Sequence, residues 1–498
     1  VIPRPSEPVI ADVNSSIMSP LAQPPVVEGD RLAQLPPTPL SWRLVILTAI
    51  VCVAGLAFLS QSWIGLRGQA LAGVFFFFGL VAAFSVNLRI VPYRTILWGM
   101  ALQLVLAILI LKVPIVHSGF EAVGGVVRKF IGFSDEGAKF VFGNLSDARP
   151  GDKGGTWSVL FPTGYAFQFA FVALPPILFI SAFFSLLFYW GILQHCIRFL
   201  SRIMVHLMGT SGAETLSVSA NVFMGQTEAP LIVKPYVPRM TNSELFVLMA
   251  SGMAHISGGM MVVYINYGAD PVAVLTTCVM ACPCSLYLSK LFFPETITPE
   301  TSGTVNAPLQ KADFVNSIDA IASGTSDGLK LALNIGAMLI VFTAFVAMAD
   351  ALLSGIKPAL LMLKVPALWL SSWPDNLSLG TVFGWCFSPA AFLMGIESND
   401  VHKVGSLLGS KLAINEHFAY LQMKDWKKIP EFMSERSYQL TAFALTGFAN
   451  FASVGIQLGG IGSMAPNRRK DLARLGGRAL FVGFVATLLN AAIAGVLL

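Results

Sequence analysis

Nine apolar runs recur along this chain, several long enough to cross a hydrocarbon core as helices. They read approximately as 44–61, 71–88, 93–112, 168–193, 245–267, 271–289, 330–353, 437–460 and 477–498. In lipid each peptide group must be hydrogen-bonded within protein, which confines such a chain to a bundle of transmembrane helices. Composition agrees: 55% of residues are apolar, 12% are charged and the mean hydropathy is +0.70, whereas soluble domains carry about twice that charge. The net charge of +5 is scattered, with no basic stripe interleaved with aromatics, so no nucleic-acid partner is expected. Cys52, Cys196, Cys278, Cys282, Cys284 and Cys386 form no C-x-x-C pair and read as small buried hydrophobes. Cys282-Pro-Cys284 is too tight and too apolar in setting for zinc.

Two glutamates break this apolar background. Glu228 lies in Asn221-Val-Phe-Met-Gly-Gln-Thr-Glu-Ala-Pro, and Glu416 in Leu412-Ala-Ile-Asn-Glu-His-Phe-Ala-Tyr420. Each is followed by a Met-[Thr/Ser] helix start, at Met240 and Met433. Each start leads into an apolar run broken by a Gly-led polar patch, Gly252–Gly258 and Gly447–Ser453. An ionisable group at bilayer depth costs about 2.5–3.5 kcal/mol on the most lenient scale, so such groups mark pathways or binding sites. A duplicated unit of this kind is the pattern of a secondary transporter.

The spans 245–267 and 437–460 therefore read as discontinuous helices, and Pro283 as a kink inside 271–289. Residues 203–236 and about 402–424 are too polar to cross alone and too apolar for ordinary loops. A re-entrant hairpin is the physical solution, and Pro230 helps stop continuous helix in the first of them. In 118–143, Phe120, Val123, Val126, Val127, Phe130 and Ile131 recur at helical spacing beside charged residues, as in an interfacial amphipathic helix. Residues 1–40 hold nine prolines and read as a disordered tail. No signal peptide is visible. The loop after Ser463 carries five basic residues against one acid. The positive-inside rule places it in the cytoplasm and the C-terminus outside.

Asn221 to Glu228 offers two amides, a hydroxyl, a carboxylate and free backbone groups, a set able to receive a polar solute. Asn415, Glu416 and His417 form a second cluster, and Asn450 and Ser453 share one face of the second broken helix. His255, in the first break, is either a structural donor or a proton carrier. One rival reading comes from another class. Gly209-Thr-Ser-Gly212 with Ala254-His-Ile-Ser-Gly258 resembles the Ser/His motifs of rhomboid intramembrane proteases, with Ser211 as nucleophile and His255 as base. It leaves both glutamates unexplained, and the residues after Ser211 are too polar for the helix it needs. A passive channel is the other alternative.

The run Gly225-Gln-Thr-Glu-Ala-Pro-Leu followed by Met240-Thr-Asn-Ser-Glu-Leu-Phe resembles the concentrative nucleoside transporter family. So do Phe140-Val-Phe-Gly-Asn-Leu, Ser388-Pro, Gly405-Ser-Leu-Leu-Gly, Asn415-Glu, Gly447-Phe-Ala-Asn and the Gly-Ser-Met-Ala-Pro-Asn-Arg-Arg loop from Gly462. The matches run in family order from about residue 44 to the C-terminus. The resemblance implies an all-α polytopic membrane protein with about eight transmembrane helices, two re-entrant hairpins, an interfacial helix and an inverted-type internal repeat, assembled as a homotrimer in the plasma membrane, as in a bacterial inner membrane. It implies a scaffold from 41–112 and 330–353, a first transport repeat at 168–289 and a second at 378–498. It implies import of nucleosides such as uridine or adenosine, with no enzymatic step and no cofactor beyond a coupling ion. Gly225, Gln226, Thr227 and Glu228 would face the nucleobase, Phe448 would lie near it, and Glu416, Asn450 and Ser453 would hold the ribose. No cationic residue is placed to hold a phosphate. In sodium-coupled members an Asn, a hydroxyl residue and backbone carbonyls bind the ion. Asn221, Met224 and Ile256 match the Asn and carbonyl positions, but His255 stands at the hydroxyl position. An imidazole suits a hard cation poorly, so a proton is the favoured coupling ion and sodium the alternative.

Overall fold

The computed structural model describes residues 37–143, 169–303 apart from 173, 314–363, 374 and 377–498. Residues 1–36 of the expected tail lie outside them. Among the described residues the chain is helical, apart from one isolated bridge between Ser211 and Ser302.

Three apolar helices open the chain: α1 (Leu40–Leu59), α2 (Gln61–Ala83) and α3 (Tyr93–Lys112). Helix α4 (Pro114–Phe142) covers the amphipathic stretch, with Pro114 in the first turn where its missing N–H goes unneeded. The short α5 (Phe169–Val172) leads into α6 (Leu174–Tyr189) and, after a 74° bend at Gly191 (φ 80°), into α7 (Ile192–Met208). The sequence expectation needs a correction here. Residues 203–208 continue α7 instead of opening the hairpin, because Leu193, Ile197, Met204 and Met208 keep one buried helical stripe running through them. The helix stops only at Gly209, whose φ of 70° provides a left-handed C-cap.

The first hairpin is α8 (Gly212–Ala220), a tip, and α9 (Ala229–Ile232). Pro230, expected to stop continuous helix, sits in the first turn of α9, where its ring keeps helix from running in from the tip. Helix α10 (Asn242–Ala254) ends at a break over 255–257, and α11 (Gly258–Asn266) resumes the path. Then come α12 (Pro271–Phe292), with Pro283 inside it, the long α13 (Ser317–Ser354), α14 (Ile356–Met362) and α15 (Leu379–Leu393). The second hairpin is α16 (Val401–Ala413) and α17 (Glu416–Trp426). Helix α18 (Glu435–Leu445) breaks over 446–450 before α19 (Phe451–Met464), and α20 (Arg469–Leu497) closes the chain. Thr241 and Ser434, in the two helix-start signals, cap α10 and α18.

Seven helical segments among the described residues are long and apolar enough to cross a membrane, or eight if the bent α6–α7 pair is one span. Burial separates them. The α10–α11 and α12 spans are each 89% buried and the last span 83%, against 11%, 28% and 33% for α1, α2 and α3 and 12% for the α13 span. Broken helices, hairpins, α12 and α20 form the core, while the first helices and α13 turn apolar faces outward, as suits an apolar solvent.

One polar cluster ties this core together at the hairpin base. The Lys290 ammonium lies 2.8 Å from Glu214 Oε2 and 3.1 Å from Glu295 Oε2, and donates to Ser243 Oγ at 3.0 Å. Ser211 Oγ donates to Glu244 Oε1 at 2.6 Å and Thr241 Oγ1 to Glu295 Oε2 at 3.0 Å. Ser211–Glu214 and Thr241–Glu244 are both capping boxes. Removing one partner from a buried ion pair strands the others. Lys290→Met is therefore expected to lower unfolding free energy by about 3–5 kcal/mol, measured by thermal unfolding of the detergent-solubilised protein; an unchanged midpoint would refute the cluster's role.

Candidate functional site

The two broken helices meet at their breaks. Phe448 N–H donates to the His255 carbonyl oxygen at 3.0 Å. Gly447 permits the approach: a Cβ there would lie 2.6 Å from Thr487 Cγ2 and 3.1 Å from the carbonyl oxygens of Ala254 and Met253. Beyond each break a polar side chain starts the next half-helix. Ser257 Oγ accepts from Met260 N and Asn450 Oδ1 accepts from Ser453 N.

Both hairpin tips come to this crossing. Glu416, the first residue of α17, accepts from Tyr264 OH at 2.9 Å and from Asn450 Nδ2 at 3.0 Å. Gln226, at the first tip, donates from Nε2 to Ser453 Oγ at 3.1 Å, and its Oε1 accepts from Gln457 Nε2 at 3.2 Å. Gln457 also donates to Met249 O at 3.0 Å. Gln226, Ser453, Asn450 and Glu416 thus form one buried polar row across hairpins and broken helices. Donors from two directions suit a carboxylate that acts as acceptor only.

The other first-tip residues point elsewhere. Glu228 accepts from Gly225 N at 3.0 Å, and with Met224 it lines a cavity of about 320 Å³ walled by Phe184 and Phe188 of α6 and bordered by Asp327 of α13. That volume falls at the lower end of small-molecule sites, roughly 300–1,000 Å³. Thr227 faces α19, where a Cβ on Gly460 would lie 2.9 Å from Thr227 Cγ2. The tip therefore presents Gln226 and Glu228 to different neighbours, not one common wall. Phe448 is half-buried beside the crossing.

Of the residues assigned to a coupling ion, Asn221 and His255 meet at Ser251, while Met224 lines the cavity beside Glu228. Asn221, the C-cap of α8, donates from Nδ2 to Ser251 Oγ at 3.1 Å, and its Oδ1 is buried without a hydrogen-bond partner. Ser217 Oγ, one turn earlier on α8, is likewise buried and unpartnered. The His255 ring lies with Nδ1 2.8 Å from Ser251 O and Nε2 3.4 Å from Cys282 Sγ. Ile256, next in the break, is fully buried.

The serine-protease alternative fails on geometry. Ser211 is the N-cap of α8, bonded to Glu244 at the first turn of α10, whereas His255 follows the last turn of that helix. His255 lies eleven steps along the chain from Glu244, a helical rise of about 16 Å, and no bond joins Ser211 to the imidazole.

Sequence reasoning missed Tyr264, Gln457, Ser217 and Lys411. Gln457 stands one turn beyond Ser453 on the face already noted, and Lys411 is a lone cation five residues before Glu416; both were visible signals. Tyr264 carried none, since it lies in an apolar run 152 residues from the carboxylate it meets.

Polar-tipped hairpins and broken helices converging inside a helical membrane bundle define a secondary transporter by class. Comparison with known proteins narrows the class. Residues 72–145 and 273–495 match the N- and C-terminal families described as Na+ dependent nucleoside transporter, and 170–270 match a family described as nucleoside recognition. An uncharacterized transporter of Haemophilus influenzae is 36% identical over 430 residues, 86% of this chain and 97% of that protein. Sodium/nucleoside cotransporter 1 of Mus musculus is 36% identical over 440 residues, 86% of this chain, and the chain spans 63% of that longer protein's length. The solved structure of CNTnw in an inward-facing substrate-bound state is 33% identical, covers 87% of this chain and 98% of its own, and superposes with a TM-score of 0.78; an outward-facing variant gives 0.79. The chain belongs to the concentrative nucleoside transporter family, whose members are transporters and not enzymes.

Gly447→Ala is expected to separate the two breaks and lower both thermal stability and uptake. Gly455→Ala, where a Cβ meets nothing within 4 Å, serves as control. Equal behaviour of the two variants in detergent melting and proteoliposome uptake would refute the crossing's importance.

Proposed function

We propose that this protein is a concentrative symporter that imports nucleosides. Glu416, Asn450 and Ser453 hold the ribose hydroxyls; Gln226 serves the nucleobase, with Phe448 beside it, while Glu228 of the same tip lines the neighbouring cavity. The observation that carries the reading is the buried row from Gln226 through Ser453 and Asn450 to Glu416. It pairs a diol-gripping carboxylate and amide with an amide suited to an uncharged heterocycle. In this reading the hairpins and broken helices move as one unit against a scaffold of α1–α3 and α13, within a homotrimer. The protein sits in the plasma membrane, as in a bacterial inner membrane, with the C-terminus outside.

Sodium is the first candidate for the coupling ion. Asn221 Oδ1 and Ser217 Oγ are two buried oxygens one turn apart with no hydrogen-bond partner, and hard cations take oxygen ligands. The match to a sodium-dependent family points the same way. Met224 and Ile256 would add carbonyls, and Ser217 would supply the hydroxyl that His255 replaces. A proton carried by His255, whose ring sits between Ser251 O and Cys282 Sγ, is the second reading. Either ion suffices energetically, since one charge moving through 100 mV yields about 2.3 kcal/mol.

Radiolabelled uridine and adenosine uptake into proteoliposomes, under imposed sodium and proton gradients separately, tests this. Sodium-driven accumulation is expected, with Asn221→Ala weakening its sodium dependence and Glu416→Gln cutting uptake efficiency about tenfold or more, the worth of a charge-assisted hydrogen bond. Accumulation driven by protons alone moves the coupling role to His255. Absence of accumulation with either gradient, in folded protein, sinks the substrate assignment.

A further inference from the structure

The end of α11 lies along one face of α17, and two tyrosines make the contact. Tyr264, in the last turn of α11, donates from its hydroxyl to Glu416 Oε1 at 2.9 Å. Its ring stacks on Tyr420, with centroids 4.2 Å apart and planes 15° from parallel. Tyr267 follows as the C-cap of α11. Its hydroxyl oxygen lies 3.3 Å from His417 Nε2, and the Lys424 ammonium sits 5.0 Å from its ring centroid. Lys427 Nζ donates to the Gly268 carbonyl oxygen at 2.9 Å. Positions 417, 420, 424 and 427 recur at three- and four-residue spacing, so a single stripe of α17 and its C-cap meets α11.

Within this contact the Tyr264 hydroxyl has a separate task from the ring. A phenyl ring would serve the stack on Tyr420 equally well, and a buried tyrosine hydroxyl needs a partner. Its partner is Glu416, whose other oxygen accepts from Asn450 Nδ2 at 3.0 Å. The two donors come from different broken helices, so the carboxylate cannot rotate without losing one of them. Tyr420, the platform for the stack, is fixed in turn by its hydroxyl, 3.0 Å from Ala442 O and 2.9 Å from Thr446 Oγ1. A carboxylate has about four lone-pair sites, so both oxygens of this oriented group can still accept from a solute.

We propose that Tyr264 is a positioning residue for sugar recognition: its hydroxyl fixes the rotation of the Glu416 carboxylate as the acceptor for the solute's hydroxyls. The proposal rests on the ribose reading of Glu416, and its test separates the two. Tyr264→Phe, in the full-length protein, keeps the ring and its stack and removes only the bond to Glu416. Uptake into proteoliposomes is compared for uridine and for 2′,3′-dideoxyuridine, which lacks the hydroxyls Glu416 would grip. The variant should raise the KM for uridine about tenfold, the worth of a hydrogen bond to a charged group, with little change in Vmax. The KM for the dideoxy analogue should move less than about twofold.

Equal losses on both nucleosides, or a variant that does not fold, mean that the hydroxyl serves only the packing of α11 on α17, and overturn the proposal. A second arm asks whether Tyr264 acts through Glu416. In a Glu416→Ala background no carboxylate remains to be oriented, so adding Tyr264→Phe should change the uridine Kd in detergent less than about twofold. A further tenfold loss there means that Tyr264 acts on its own, and overturns the proposal; if that background binds too weakly to titrate, the dideoxy comparison decides alone. If wild type does not discriminate between the two nucleosides, the ribose reading itself fails and the proposal falls with it. Discrimination in wild type that Tyr264→Phe leaves intact overturns the proposal alone.

Discussion

A single backbone hydrogen bond organises the centre of this protein: the Phe448 N–H donates to the carbonyl oxygen of His255, where two interrupted helices touch. Ending four half-helices inside an apolar bundle is expensive, because each end leaves amides or carbonyls without helical partners. The crossing answers that cost locally. Ser257 and Asn450 cap the resumed helices, Lys411 takes a carbonyl from the last turn of α18, and the His255 ring takes one from the last turn of α10. Gly447 is the residue that lets the two breaks come this close.

Because the half-helix ends are occupied in this way, the side chains at the crossing are free to face one another. Tyr264 stacks on Tyr420, with ring centroids 4.2 Å apart and planes 15° from parallel. Tyr420 is itself bonded to Ala442 O. The hydroxyl that reaches Glu416 is therefore set by an aromatic stack and not by a mobile loop. Rigid placement of a few polar groups in an otherwise apolar setting is what allows a small uncharged solute to be told from its analogues.

Much of this was legible in the residues. Carboxylates at 228 and 416, and polar patches led by glycine, stand out against 12% charge because burying them demands a reason. The helix-start signals at Met240–Glu244 and Met433–Ser437 marked where both broken helices begin, at Asn242 and Glu435. The first hairpin's start was misplaced because α7 is amphipathic, and its polar face resembled the tip that follows. What periodicity could not reveal was partnership across the chain. Gln226 meets Ser453 over 227 positions and Tyr264 meets Glu416 over 152. The division of the first tip, with Gln226 facing α19 and Glu228 facing α6, depends on tip geometry that no spacing rule encodes.

The cluster around Lys290 has a mechanical meaning. It fastens the stem of the first hairpin, the start of α8, to the start of α10, to the end of α12 and, through Gly212 N to Thr301 O at 2.9 Å, to the segment that follows α12. A hairpin rooted so firmly cannot swing from its base like a door. The part of this hairpin left outside the cluster is the tip between Asn221 and Glu228, which borders the cavity against α6 and α13.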